Sequence, residues 1–190
     1  MALKRGESHL GGTHLLDEAT GEYNKSYILR YFPNGGVKLI STVFRSQGLM
    51  VAKGNPLDIE LVADLARVNY VNRQKGSGTR ILFDYLLKQA RLEPAQIKGY
   101  DREEITHTAV AAAVASGTAD AGMGILAAAK IYDLGFVPLI WEQYDLLVAE
   151  KTFEHPEFKR LLEVMRSDAF AEKLEKLGGH QPNKPGEGIL

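Results

Sequence analysis

VNYVNRQKGSGTRILFDYLLKQA, residues 68–90, changes character twice. Val68–Asn72 is rich in β-branched and apolar residues and reads as a strand. From Ile81 an apolar stretch runs to about Ala90 and reads as a helix. Between them lies a cationic loop, Arg73–Arg80, with a Gly-Ser-Gly-Thr centre. A strand that passes through a glycine-rich loop straight into a helix is half of an alternating pattern. The rest of the chain supplies the other half.

Toward the N-terminus, HLGGTHLL (9–16) reads as a short strand ending in a loop, because its glycines interrupt any helical period. Residues 18–32 read as a turn and a short helix stopped by Pro33. VKLISTVFRSQGLMV (37–51) has the composition of one or two buried strands, and KGNP (53–56) ends it. Residues 58–66 predict a helix with Asp58 as N-cap. Beyond Ala90 come a linker (91–100), a helix from about Thr108 to Ser116 ended by Gly117, and strands in ADAGMGI (119–125) and GFVPLI (135–140) around an alanine-rich helix. YDLLVAE (144–150) is a further strand. Residues 155–178 form an amphipathic helix pair or one bent helix, and the tail reads as irregular. Strands alternating with helices predict an α/β architecture of mainly parallel sheet. Segments 37–51 and 144–149 suit crossovers between two lobes: 1–52 with 145–190, and 53–144.

The chemistry of the opening loop follows from its place. A helix beginning near Gly78 leaves its first amide N–H groups without intrahelical partners, and its dipole points positive charge the same way, so that end attracts an anion. Gly76 and Gly78 allow close backbone approach. Ser77 and Thr79 add hydroxyls, and Arg73 adds a planar guanidinium able to hold an oxyanion with two bonds. In the blander reading Ser77 merely caps the helix while Arg73, Lys75 and Arg80 are solvated. The spacing does not fit GxxxxGK[ST], which argues against nucleotide hydrolysis. A second helix start repeats the theme, with Thr106 or Thr108 as cap and His107 as a further donor. Asp120, between alanines, is expected to cap or hydrogen-bond structurally.

Composition limits the alternatives. The 190 residues are 45% hydrophobic, enough for a real core, and 24 acidic against 23 basic side chains leave no global field for nucleic acid or a membrane surface. Absence of cysteine removes disulfides, thiolate metal sites and a thiol nucleophile. MALKRGESHLGGTHLLD contains no apolar run of signal-peptide length, and no run of about 18 apolar residues occurs. The reading is a cytoplasmic protein, or a domain cut from something larger.

HLGGTHLLDEATGEYN, GLMVAKGNP, VNRQKGSGTRILFDYLL, HTAVAAAVASGTADAGMGI and YDLLVAE, in that order, resemble the periplasmic-binding-protein-like domain fused to winged-helix regulators of the molybdate type and to molybdopterin-biosynthesis proteins. The resemblance covers about residues 3–150. It implies a type II fold of two α/β lobes, similar to molybdate and tungstate receptors, with an oxyanion held in the interlobe cleft. It assigns Arg73, Ser77 and Thr79 to the anion, Thr106 and His107 to a loop of backbone donors, Tyr144 to a hydroxyl contact, and Thr13 with His14 to the first lobe. Relatives begin with a further strand and helix. Their absence here implies a first lobe truncated at its N-terminus, a site held mostly by the second lobe or completed by another chain, or a fragment. An unpaired sheet edge would then favour a homodimer.

The expectation is a non-enzymatic sensor that closes on molybdate, tungstate or a related oxyanion, needs no cofactor or metal, and is linked to molybdenum uptake or cofactor biosynthesis through a fused or associated winged-helix regulator or molybdopterin-biosynthesis protein. Direct contact with nucleic acid or membrane is not expected. An enzymatic role in molybdopterin biosynthesis and a degenerate protein-interaction module are the alternatives, although His14, His107 and Asp120 lack the spacing of a triad or metal site.

Overall fold

The computed structural model describes residues 2–190. It divides into two compact units, one comprising residues up to Arg45 together with Glu142–Leu190, the other Ser46–Trp141. Both divisions fall inside long strands, β2 (Val37–Val51) and β6 (Gly135–Ala149), which are hydrogen-bonded neighbours. Each is one continuous 15-residue strand, whereas composition alone divides residues 135–150 into two.

In the first unit, β1 (Leu10–Thr13) pairs antiparallel with β6, Leu10 opposite Val148 and Thr13 opposite Asp145. Helix α1 (Lys25–Tyr31) follows β1. After β6 come α5 (Glu150–Phe153), α6 (Pro156–Met165), α7 (Asp168–Leu177) and β7 (His180–Pro182). Ser167 separates α6 from α7 by capping the latter: its hydroxyl accepts from Phe170 N. The tail is not irregular, because β7 pairs antiparallel with Val43–Arg45 of β2. Ile40, Val148, Phe158, Leu162 and Met165 form one core, and Ile28, Leu39 and Leu147 a second. Asn24, buried with a positive φ of 70°, joins three segments. Its Oδ1 accepts from Thr13 Oγ1 (2.9 Å) and Leu15 N (2.8 Å), and its Nδ2 donates to Asp145 Oδ2 (2.7 Å).

The second unit holds β3 (Tyr70–Arg73), α2 (Gly78–Gln89), β4 (Glu103–Glu104), α3 (His107–Ala115), β5 (Ala121–Ile125) and α4 (Leu126–Ile131). Its β5–β3–β4 sheet is parallel, as the strand–helix alternation predicts, whereas β2 joins β5 antiparallel and the pairs made by β1 and β7 in the first unit are antiparallel too. The parallel set has a topological cause. The helical crossovers α2 and α3 return the chain in the same direction and so keep β3, β4 and β5 parallel. Met50, Val71, Val110, Ala111, Val114 and Ala128 pack the core, and Tyr70 stacks on Phe83 with ring centroids 4.5 Å apart. Asp58 is not an N-cap: it has a φ of 46°, residues 62–67 form a 3₁₀ helix, and Asp64 accepts from the amides of Glu60 and Leu61 (both 2.9 Å).

Candidate functional site

In the second unit the C-terminal ends of β3 and β4 lie side by side, Arg73 opposite Glu104, and each strand leads into the start of a helix. The carboxyl ends of parallel strands are where α/β sheets hold ligands, because the following helices aim their N-termini there. Gly76, with a φ of 83°, turns the chain in the left-handed region that glycine adopts without strain. Ser77 then caps α2: its Oγ accepts from Arg80 N (3.2 Å), and its own N–H is used on Gln74 O (3.2 Å). Among the described residues that leaves the amides of Gly78 and Thr79 as the orphan donors of the first turn. Thr106 caps α3 likewise, accepting from Ala109 N (3.0 Å) and contacting Thr108 Oγ1 (3.0 Å).

The two arginines of the loop are structural partners rather than solvated charges. Arg73 is buried, and its guanidinium donates from Nη2 to Ile105 O (2.8 Å) and from Nε to Glu104 O (3.3 Å), which ties the end of β3 to the segment before α3. Arg80 is buried as well. It meets Asp84 (3.1 Å) and Glu103 (2.8 Å) and lies 4.2 Å from the centroid of the Tyr100 ring. Lys75 is exposed.

Two features of this half-site have no signal in the loop itself. Gln47, on β2 opposite Ile125 of β5, is fully buried, and its Nε2 donates to Thr79 Oγ1 (3.1 Å). Its Oε1 is buried with no hydrogen-bond partner among the described residues. The second is spacing on β5, where a side-chain carbon on Gly124 would crowd Met50 and come within 3.2 Å of His107 Nδ1. Asp120 serves as expected for a structural residue, accepting from Asn69 N (2.7 Å) and Nδ2 (2.9 Å).

The first unit brings His14 and Tyr144 together, their rings stacked with centroids 5.4 Å apart, and turns Thr13 toward Asn24 instead. Tyr144 belongs to this unit rather than to the second lobe. Its hydroxyl occupies the space that a side chain on Gly12 would fill. Arg45 also lies over the Tyr144 ring, 4.2 Å from its centroid. Arg45 and His14 both meet Glu142, almost wholly buried, which accepts from Arg45 Nε (2.7 Å) and contacts His14 Nδ1 (3.1 Å). Arg45 and Glu142 stand 97 residues apart, beyond the reach of any local motif. Nearby, burial pushes the Asp145 carboxyl above the ordinary carboxylate range, against the hydrogen bonds from Asn24 and Gln143 that favour its charged form.

A family model described as a PBP superfamily domain matches residues 1–166. The uncharacterized protein YvgK of Bacillus subtilis (strain 168) is 38% identical over 188 residues, 98% of this chain and 60% of that protein, so the chain spans about 60% of that relative's length. A Clostridium pasteurianum protein encoded in the 5′ region of a 2Fe-2S ferredoxin gene is 34% identical over 108 residues, 56% of this chain and 96% of its own length. Among solved structures, a Clostridium perfringens protein assigned as a phosphate ABC transporter substrate-binding protein, with bound phosphate, aligns over 96% of this chain and 82% of its own at a TM-score of 0.67 and 13% identity. PEB3 bound to L-phospholactate aligns over 77% and 69% at 0.56 and 20% identity. Corynebacterium glutamicum OxyR aligns over 93% and 53% at 0.64 and 13% identity. These structural likenesses carry the fold. No helix among the described residues is long and apolar enough to cross a membrane.

Proposed function

The chain belongs to the PBP superfamily, and from that premise we propose that it is a binding domain for a small tetrahedral oxyanion, held at the starts of α2 and α3. One observation carries the reading: the caps of both helices are internal, Ser77 on Arg80 and Thr106 on Ala109, so the remaining first-turn amides at Gly78 and Thr79 are left for a guest. Gly78 and Thr79 are themselves buried, and a buried helix end without acceptors is costly. A bound oxyanion supplies those acceptors. Arg73 acts by fixing the segment before α3 and by placing a positive charge beneath the loop.

Molybdate and tungstate enter from the sequence resemblance. Phosphate enters from the neighbour whose structure contains it, and L-phospholactate in PEB3 carries the same tetrahedral group. In this reading the chain binds and does not transform its ligand, and occupancy signals to a regulator or to molybdenum-cofactor biosynthesis.

Calorimetric titration of the intact chain with molybdate, tungstate, phosphate and sulfate tests the proposal. At least one should bind with saturable heat; none doing so refutes it. Gly78→Pro sharpens the test. Proline suits the first helical position, and Ser77 already has the extended backbone (φ −74°, ψ 147°) that a following proline requires, so the substitution deletes one N–H while retaining the helix. Affinity should fall about tenfold, the loss of one charge-assisted hydrogen bond. An unchanged affinity, with a melting temperature like the wild type's, would place the anion elsewhere.

A further inference from the structure

Gln47 raises a question that the helix starts do not answer. A primary amide carries two donors and an acceptor, and this one is fully buried on β2 with Nε2 committed to Thr79 Oγ1. Its Oε1 has no partner among the described residues. Buried polar atoms in folded proteins are almost always satisfied, and an acceptor left alone beside the first turn of a helix wants a donor that the described residues do not provide. Thr79 is in the complementary state. Because its oxygen accepts from Gln47, its hydroxyl proton is directed elsewhere.

We propose that Gln47 is a specificity-determining ligand contact, and that its side-chain carbonyl makes the site prefer a tetrahedral anion that still carries a proton, of which inorganic phosphate is the simplest, over the fully ionised anions sulfate and molybdate. The inference rests on the oxyanion reading of the α2 start and refines its ligand class. The donor count is complementary: the amides of Gly78 and Thr79 and the Thr79 hydroxyl offer three hydrogens to bare oxygens, while Gln47 Oε1 takes the one hydrogen of a P–OH group. A fully ionised anion has only acceptors to present. One of its oxygens would face the Gln47 carbonyl, acceptor against acceptor, and the amide would stay unsatisfied. Sites that hydrogen-bond a hydroxyl reject analogues lacking it far more strongly than apolar pockets reject a change of size.

The experiment is calorimetric titration of the intact chain at neutral pH with inorganic phosphate, sulfate and molybdate, for the wild type and for Gln47→Leu, which removes the acceptor at nearly constant volume. Wild type should bind phosphate at least about tenfold more tightly than either other anion. Gln47→Leu should weaken phosphate by a similar factor and leave sulfate within about twofold, collapsing the preference. The wild-type ratio needs no variant, so it decides the matter even if Gln47→Leu does not fold. Binding of sulfate or molybdate as tightly as phosphate would overturn the role of Gln47 while leaving the oxyanion site intact. If no anion binds, both proposals fall together.

Discussion

Replacing Arg80 with alanine tests whether the second unit's helix starts are held from within. Arg80 is 3% exposed, and its guanidinium bridges Asp84 of α2 and Glu103 of β4 while covering the Tyr100 ring. Breaking a buried ion pair costs about 3–5 kcal/mol when the partners stay buried. Here Asp84 and Glu103 keep 33% and 30% of their side-chain surface exposed, so water takes over part of the lost contacts and the cost falls to about 3 kcal/mol. For a chain of this length each kcal/mol lowers Tm by roughly 2–4 °C, which puts the expected drop at roughly 6–12 °C. Thermal unfolding followed by circular dichroism measures it. Arg80→Lys keeps the charge but not the planar fork and should fall between wild type and Arg80→Ala. Glu103 precedes the residues that Arg73 grips, Glu104 and Ile105, and these lead into the α3 cap Thr106, so the alanine variant should also weaken oxyanion binding. A Tm lowered by less than about 2 °C would refute the idea that this bridge supports the site, since that is what an exposed ion pair yields.

In the first unit, Gly12→Ala should lower Tm by several degrees, because the new methyl overlaps the Tyr144 hydroxyl and forces the ring off His14 and Arg45; an unchanged Tm would show that Tyr144 is not packed there. Asp145 predicts a pH dependence. Its folded pKa is raised by burial, so the folded state binds its proton more tightly than the unfolded chain does, and this contribution to stability is fully present below the unfolded value of about 3.9. It is lost as pH rises through the raised folded value. Asp145→Asn, neutral at every pH, should therefore gain on the wild type as pH climbs from about 4, and parallel melting profiles would contradict this.

Local pattern reached the elements whose signals are contiguous. The strand, glycine-rich loop and helix of 68–90 are legible because each rests on neighbours within a few residues, and local pattern narrows the caps to Ser77, as the alternative to its ligand role, and to Thr106 or Thr108, of which the structure uses Ser77 and Thr106. The resemblance to periplasmic-binding-protein-like domains extended that reading to the superfamily fold. Local pattern misleads in two ways, by offering a rival capping residue nearby and by hiding a distant strand partner. Asp58 resembles a cap until Asp64 takes the amides of residues 60 and 61, and the tail looks irregular until β2 offers its edge to β7.

The sequence by itself determined the α/β class and the two helix starts, since hydrophobic period, glycine and hydroxyl placement act through local backbone geometry. Only the tertiary structure decided what the charged and polar side chains do. It turned Arg73 onto the carbonyls of Glu104 and Ile105, buried Arg80 against Asp84 and Glu103, joined Glu142 to Arg45 and His14, and left Gln47 Oε1, beside Thr79, without a hydrogen-bond partner among the described residues. The physical reason is that hydrogen bonds and ion pairs depend on distance in space and on burial, and residues as far apart in the chain as Arg45 and Glu142 meet only after the strands that carry them have paired.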